Sequence, residues 1–158
     1  MWFSKKAGAK VAAAPPPVPA ASPAPEKKQA TTKNLGDAAE ALALAYLKKA
    51  GLKWVESNYR TPGRGGGEID LVMRAADDTL VFVEVRHRST LSHGGAGASI
   101  SGVKQQRIVY AARRYLMRFG SSPPCRFDVV LVEGRPDSPG GYQVEWLPAA
   151  FDASQTGC

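Results

Sequence analysis

Residues 67–88, GEIDLVMRAADDTLVFVEVRHR, hold two apolar, strand-like runs (67–75 and 79–87) joined by the short segment AADD. So short a connection predicts an antiparallel hairpin. Three carboxylates interrupt these runs: Glu68 and Asp70 in the first, Glu84 in the second. Acidic residues are depleted in strands and rarely bury unpaired, so their presence there asks for a reason. Side chains of a strand alternate between faces. On that rule Glu68 and Asp70 share one face, with Ile69 and Leu71 on the other, and Glu84 and Arg86 share a face opposite Val83 and Val85. Pairing of the two strands then gathers three carboxylates beside one guanidinium. Carboxylate oxygens are hard ligands for Mg²⁺ or Mn²⁺, and Mg²⁺ commonly takes only one or two of them plus waters. The competing account is a polar sheet surface whose acids are balanced by Arg86 and Arg88.

The rest of the chain frames this hairpin. NLGDAAEALALAYLKKAG, from Asn34, reads as a helix with Leu35, Ala38, Leu42 and Tyr46 near one stripe and Gly51 as its stop. A strand over 52–60 follows, then the loop TPGRGGG. Beyond the hairpin lies the glycine-rich stretch STLSHGGAGAS, and then a second helix over about 100–119, with Val103, Ile108, Ala111 or Ala112, Tyr115 and Leu116 along its stripe. RFDVVLVEG (126–134) is a buried strand and GYQVEWLP (141–148) a weaker one. The order α-β-β-β-α-β, with a further β, predicts an α/β fold: a mixed central β-sheet flanked by helices. Residues 34–148 form the expected domain, between a tail over 1–33 and a short one over 149–158.

Charge is unevenly placed. The net charge is +7, of which +5 falls in residues 1–33, where six lysines meet one acid, Glu26. The same segment holds six of the twelve prolines, as in AAAPPPVPAASPAP. Such a Pro/Ala segment cannot bury a core and is expected to be extended and disordered. A signal peptide is the rival, but Lys10 and the prolines break any apolar run of the required length. The two cysteines, Cys125 and Cys158, form no CxxC pair, and no apolar run approaches the ~20 residues that span a bilayer. A cytoplasmic protein with reduced thiols and no membrane partner is the expectation. The second helix carries Lys104, Arg107, Arg113, Arg114 and Arg118 with no acid. A cationic face of this kind suits a phosphodiester backbone; a solubilising outer face is the alternative. Of the histidines, His87 falls on the core side beside Val85, and His93 stands in the glycine-rich loop. No GxxxxGK phosphate loop, CxxC pair or HExxH helix is present, which argues against an NTPase or a zinc enzyme.

The blocks GDAAEALALAYLKKAG, NYRTPGRGGGEIDLV, VFVEVRHR, KQQRIVYAARRYL and RFDVVLV, in this order, carry a family resemblance over roughly residues 34–133. The chain resembles the YraN family of small bacterial proteins, candidate endonucleases similar to archaeal Holliday-junction resolvases within the PD-(D/E)xK nuclease superfamily. The resemblance implies metal-dependent hydrolysis of phosphodiester bonds in branched or structured DNA, and it leaves a homodimer open. It assigns Asp70 and Glu84 to the metal (Mg²⁺ or Mn²⁺), Glu68 to the G-E-I-D block, and Glu40 to an acidic position that helps hold metal in resolvase-like members. Glu68, Asp70, Glu84 and Arg86 are thus the candidate catalytic residues, with Lys104, Arg107, Arg88 and Arg114 the candidate DNA contacts. Gln106 and Tyr110 match a Q-x-x-x-Y spacing of some nuclease branches. Arg86 departs from the superfamily pattern, which has Lys there. Arginine stays protonated in proteins, so Arg86 can orient or stabilise but cannot act as a general base. That departure supports a second hypothesis, a nucleic-acid-binding module of little or no activity on a nuclease fold.

Overall fold

The computed structural model describes residues 31–88 and 100–156; the N-terminal segment, the loop 89–99 with His93, and Cys158 lie outside the described residues. Five strands form one sheet in the order β1-β2-β3-β4-β5: β1 (Lys53–Arg60), β2 (Glu68–Arg74), β3 (Leu80–Arg88), β4 (Cys125–Gly134) and β5 (Tyr142–Phe151). Sequential neighbours pair antiparallel except β3 and β4, which run parallel because α2 (Gly102–Leu116) crosses over between them. The expected mixed sheet between helices is what the chain forms. No helix among the described residues is long and apolar enough to cross a membrane.

Each face of the sheet is closed by one helix. α1 (Thr32–Lys49) starts two residues before the expected point, because the Thr31 side chain caps it by accepting the Asn34 N–H. It presents Ala39, Ala43 and Leu47, every fourth residue, to Leu71, Met73, Val81, Val83, Val130 and Val132. The buried stripe is therefore one position away from the expected one, and Tyr46 is exposed. α2 buries Ile108, Val109, Ala111, Ala112 and Tyr115 against Ile69, Val72, Leu80, Phe82, Phe127, Val129 and Leu131 on the other face. Val103, expected on that stripe, is exposed. The chain also stays packed beyond 148: β5 runs on to Phe151, and Phe151 and Ala153 press on the α2-side core.

Two details of the loop before β2 place the site. Thr61 and Gly67 clasp each other, with the Thr61 N–H donating to the Gly67 carbonyl at 3.0 Å and the Gly67 N–H donating to Thr61 Oγ1 at 2.8 Å. A Cβ on Gly67 would stand 1.9 Å from the Arg107 carbonyl oxygen, so α2 passes directly over this backbone. The glycine here is required by close approach, not by backbone angle.

Candidate active site

Strict alternation fails in β2, and the failure builds the site. Leu71 and Met73 face α1 and Val72 faces α2, but Ile69 also faces α2, so the alternation slips at Asp70. Opposite this slip β1 carries Asn58 at φ 54°, between the pairs Ser57–Leu71 and Tyr59–Ile69. Glu68 and Asp70 both remain close enough to act on Glu40 of α1. Glu68 is engaged by Arg60, whose guanidinium donates at 2.8 Å and 3.0 Å to Glu68 Oε1. β3 alternates as expected: Leu80 and Phe82 face α2, Val81, Val83 and Val85 face α1, and Glu84 continues the α2 side.

β2 and β3 pair from Arg74–Leu80 to Leu71–Val83. Past the last pair, the Val85 N–H donates to Asp70 Oδ2 at 2.7 Å, so a side-chain carboxylate takes over where the backbone ladder ends. Asp70 and Glu84 are thereby held together. Burial first, and the Glu84 charge second, push Asp70 up to about 7, against the opposing pull of the Val85 N–H. Burial likewise raises Glu84, and the Lys104 ammonium works against the rise. Two carboxylates in one poorly solvated place cannot both ionise freely.

Lys104 belongs to this pair rather than to an outer cationic face. Ser101 caps α2 by accepting the Lys104 N–H at 3.3 Å, and the lysine side chain reaches back to place Nζ 3.3 Å from Glu84 Oε2. At that distance the ammonium is an ion-pair partner that lowers the Glu84 carboxyl, but its alignment leaves the buried Oε2 without a well-formed hydrogen bond. A buried carboxylate oxygen held by an ion pair but by no well-formed hydrogen bond is uncommon. An open cleft of about 430 Å³ meets this edge, lined by Glu84, Val85, Arg86, His87, Ser101 and Lys104. Arg86 is near enough to help stabilise the Glu84 charge. His87 is a packing residue, as expected, with Nε2 3.0 Å from the Gly134 carbonyl oxygen and its ring edge-on to Tyr142.

Glu40 stands near the pair without joining it. It lines a separate hollow with Asp37, Ser57 and Asn58 on the α1 side, and its carboxyl is raised by burial and then by the Asp70 charge. No set of three or more His, Cys, Asp or Glu side chains gathers as a ready metal cage among the described residues. The two-carboxylate edge fits a cation that keeps most of its water, as Mg²⁺ does, better than a fully protein-ligated one. Of the expected DNA contacts, Arg107 and Arg114 are exposed along α2, whereas Arg88 ends β3 opposite Glu133. Arg118 is tied down, donating to Glu56 Oε2 at 2.7 Å and lying over the rings of Tyr59 and Tyr115.

Sequence reasoning overlooked Asp128. It is fully buried and accepts from Arg126 Nε at 3.0 Å, Trp146 Nε1 at 2.9 Å and the Ala149 N–H at 2.9 Å. An acid amid RFDVVLV was the available signal, and the role it marks is structural.

Residues 39–132 match the model of the "Uncharacterised protein family UPF0102". The chain belongs to this family. A "UPF0102 protein" of Polaromonas naphthalenivorans (strain CJ2) is 67% identical over 156 residues, covering 98% of this chain and all of the relative. One from Polaromonas sp. (strain JS666 / ATCC BAA-500) is 64% identical over 156 residues, with the same coverage. Another, from Methylibium petroleiphilum, is 65% identical over 127 residues, or 78% of this chain and 98% of the relative. The family match spans Glu40, Glu68, Asp70, Glu84 and Lys104 together.

Proposed function

We propose that this chain is a metal-dependent endonuclease acting on branched or otherwise structured DNA. The observation that carries this reading is the buried Asp70–Glu84 pair, in which the Glu84 charge raises Asp70 and the Lys104 ion pair meets Glu84 at a cleft that Arg86 also lines. Asp70 and Glu84 would hold Mg²⁺ or Mn²⁺. The bound ion would supply Lewis-acid stabilisation of phosphate charge and a water of lowered pKa. Arg86, always protonated, stabilises phosphate oxygens and takes no proton. Arg107 and Arg114, on the exposed side of α2, give the backbone of the substrate a cationic track. Glu68, engaged by Arg60, plays a supporting part at most.

The test is cleavage of a labelled four-way junction and a matched duplex with Mg²⁺, Mn²⁺ or EDTA. Junction cleavage should require metal. Asp70→Asn should reduce it by at least about a hundredfold, in line with loss of a single catalytic ligand, while Glu68→Gln should keep more than about a tenth of the rate. Inert wild-type protein with every metal, alongside salt-dependent DNA binding, would hand the site to the second reading. In that reading the chain is a nucleic-acid-binding module, and the feature in its favour is Arg86 in the lysine position.

A further inference from the structure

We infer that Lys104 is a resident counter-cation which a divalent metal displaces from Glu84, and that the displaced ammonium then becomes the phosphate-binding group of the cleft. The inference rests on Asp70 and Glu84 being the metal ligands. Its footing is geometric. Lys104 Nζ lies 3.3 Å from a carboxylate oxygen that no hydrogen bond holds, so the contact is charge attraction that a stronger cation can replace. Glu84 is 8% exposed, and it cannot relieve itself by turning to solvent when a second cation arrives. The lysine side chain is 38% exposed, so it can turn.

Its position also makes it unstable without Glu84. Lys104 occupies the first turn of α2, just after the Ser101 cap, and that turn holds no acid. A cation at a helix N-terminus opposes the helix dipole, whereas an anion there is favoured. While Glu84 is available, it supplies the missing negative charge. Once metal engages Glu84, the ammonium and the positive end of α2 are left together, with Arg86 and Ser101 lining the same cleft. An incoming phosphate is the group that satisfies both the ammonium and the positive end of α2.

The charge balance gives the order of events. With both carboxylates ionised, Asp70, Glu84, Lys104 and Arg86 sum to zero, and the cleft holds no net attraction for phosphate. A divalent ion brings the same set to +2, and the cleft attracts it. Metal therefore comes first and substrate second, with Lys104 as the part that changes partner.

The experiment titrates the full chain with Mn²⁺ by calorimetry, as wild type, Lys104→Gln, Lys104→Arg and Asp70→Asn. A thymidine dinucleotide, which carries one phosphodiester, is then titrated with and without Mn²⁺. Lys104→Gln should bind Mn²⁺ more tightly than wild type, by about threefold or more, because a competing charge of partly exposed ion-pair strength is gone. It should also lose the Mn²⁺-dependent gain in dinucleotide binding. Lys104→Arg should keep both wild-type behaviours in large part, which sets charge apart from mere packing. Mn²⁺ binding by Lys104→Gln that is equal to or weaker than wild type would overturn the inference, as would an undiminished gain in dinucleotide binding. If wild type binds no Mn²⁺, or Asp70→Asn binds it unchanged, this inference falls together with the endonuclease reading. If wild type shows the metal and dinucleotide behaviour but cleaves no DNA, the endonuclease reading alone falls.

Discussion

Asp70 is the residue where repulsion is stored. Its carboxyl titrates at about 7 in the folded chain against a reference of 3.8, chiefly through burial and secondly through Glu84. The folded state thus holds this proton more tightly than the unfolded state does. Stability from Asp70 is complete below about pH 4 and is lost as pH rises toward about 7, by on the order of a few kcal/mol. In EDTA the wild-type melting temperature should therefore fall between pH 5 and 8. Asp70→Asn keeps an acceptor for the Val85 N–H and removes the charge, so above pH 7 it should melt several degrees higher than wild type. A variant less stable than wild type at pH 8 would show that the pair is not under strain. Adding Mn²⁺ at pH 8 should raise the wild-type melting temperature and leave the variant nearly unmoved.

α2 does two jobs, and each predicts a separate failure. Its backbone lies on Gly67, where a Cβ would stand 1.9 Å from the Arg107 carbonyl oxygen. Gly67→Ala must push helix and strand apart, at a cost of about 3 kcal/mol or more in urea unfolding. Its outer side carries Arg107 and Arg114, both exposed. Replacing both by alanine should weaken binding to all DNA sequences alike and reduce the log–log salt slope by ~1.8 for two lost phosphate contacts. Thermal stability should stay near wild type, because neither side chain enters the core. An unchanged slope would place the DNA elsewhere. Arg118 belongs to a different category: its pairing with Glu56 and contact with Tyr59 and Tyr115 tie α2 to β1.

At the scale of the molecule, β5 is secured to β4 through Asp128. Its carboxylate joins Arg126 and β4 to Trp146 and Ala149 in β5, and Ala149 adopts φ 49° while its N–H points at Asp128 Oδ1. Asp128→Ala would leave an indole N–H, a backbone N–H and a guanidinium without their acceptor. The expected loss is about 3–5 kcal/mol, the range for breaking a buried charge pair, read by urea unfolding. Asp128→Asn should lose less, since one carbonyl oxygen remains. DNA binding by the folded fraction should not change, because the carboxylate lies on the β4–β5 side of the sheet and away from the cleft.

The element types and their order were legible because they depend on local quantities: apolar period, capping residues, glycine and proline stops, and the short AADD turn. The same local reading found Asp70 and Glu84, since acids inside strand-like runs stand out without any knowledge of partners. What it could not reach were relations set by contacts between elements. The slip of alternation at Asp70 is one such relation, since no one-strand rule contains the neighbouring Asn58 that accompanies it, and the Arg60 partner of Glu68 across the β1–β2 pair is another. The buried stripe of α1 was read one residue off, because alanine-rich helices are apolar on more than one side and the sheet chooses among them. Lys104 looked like one cation among five on α2. Only the crossover that lays the first turn of α2 against the end of β3 makes it the counter-charge of Glu84. Composition and periodicity determine which segments become helix or strand; long-range packing determines which charges meet, because a charge acts across a few ångströms of space regardless of its distance along the chain.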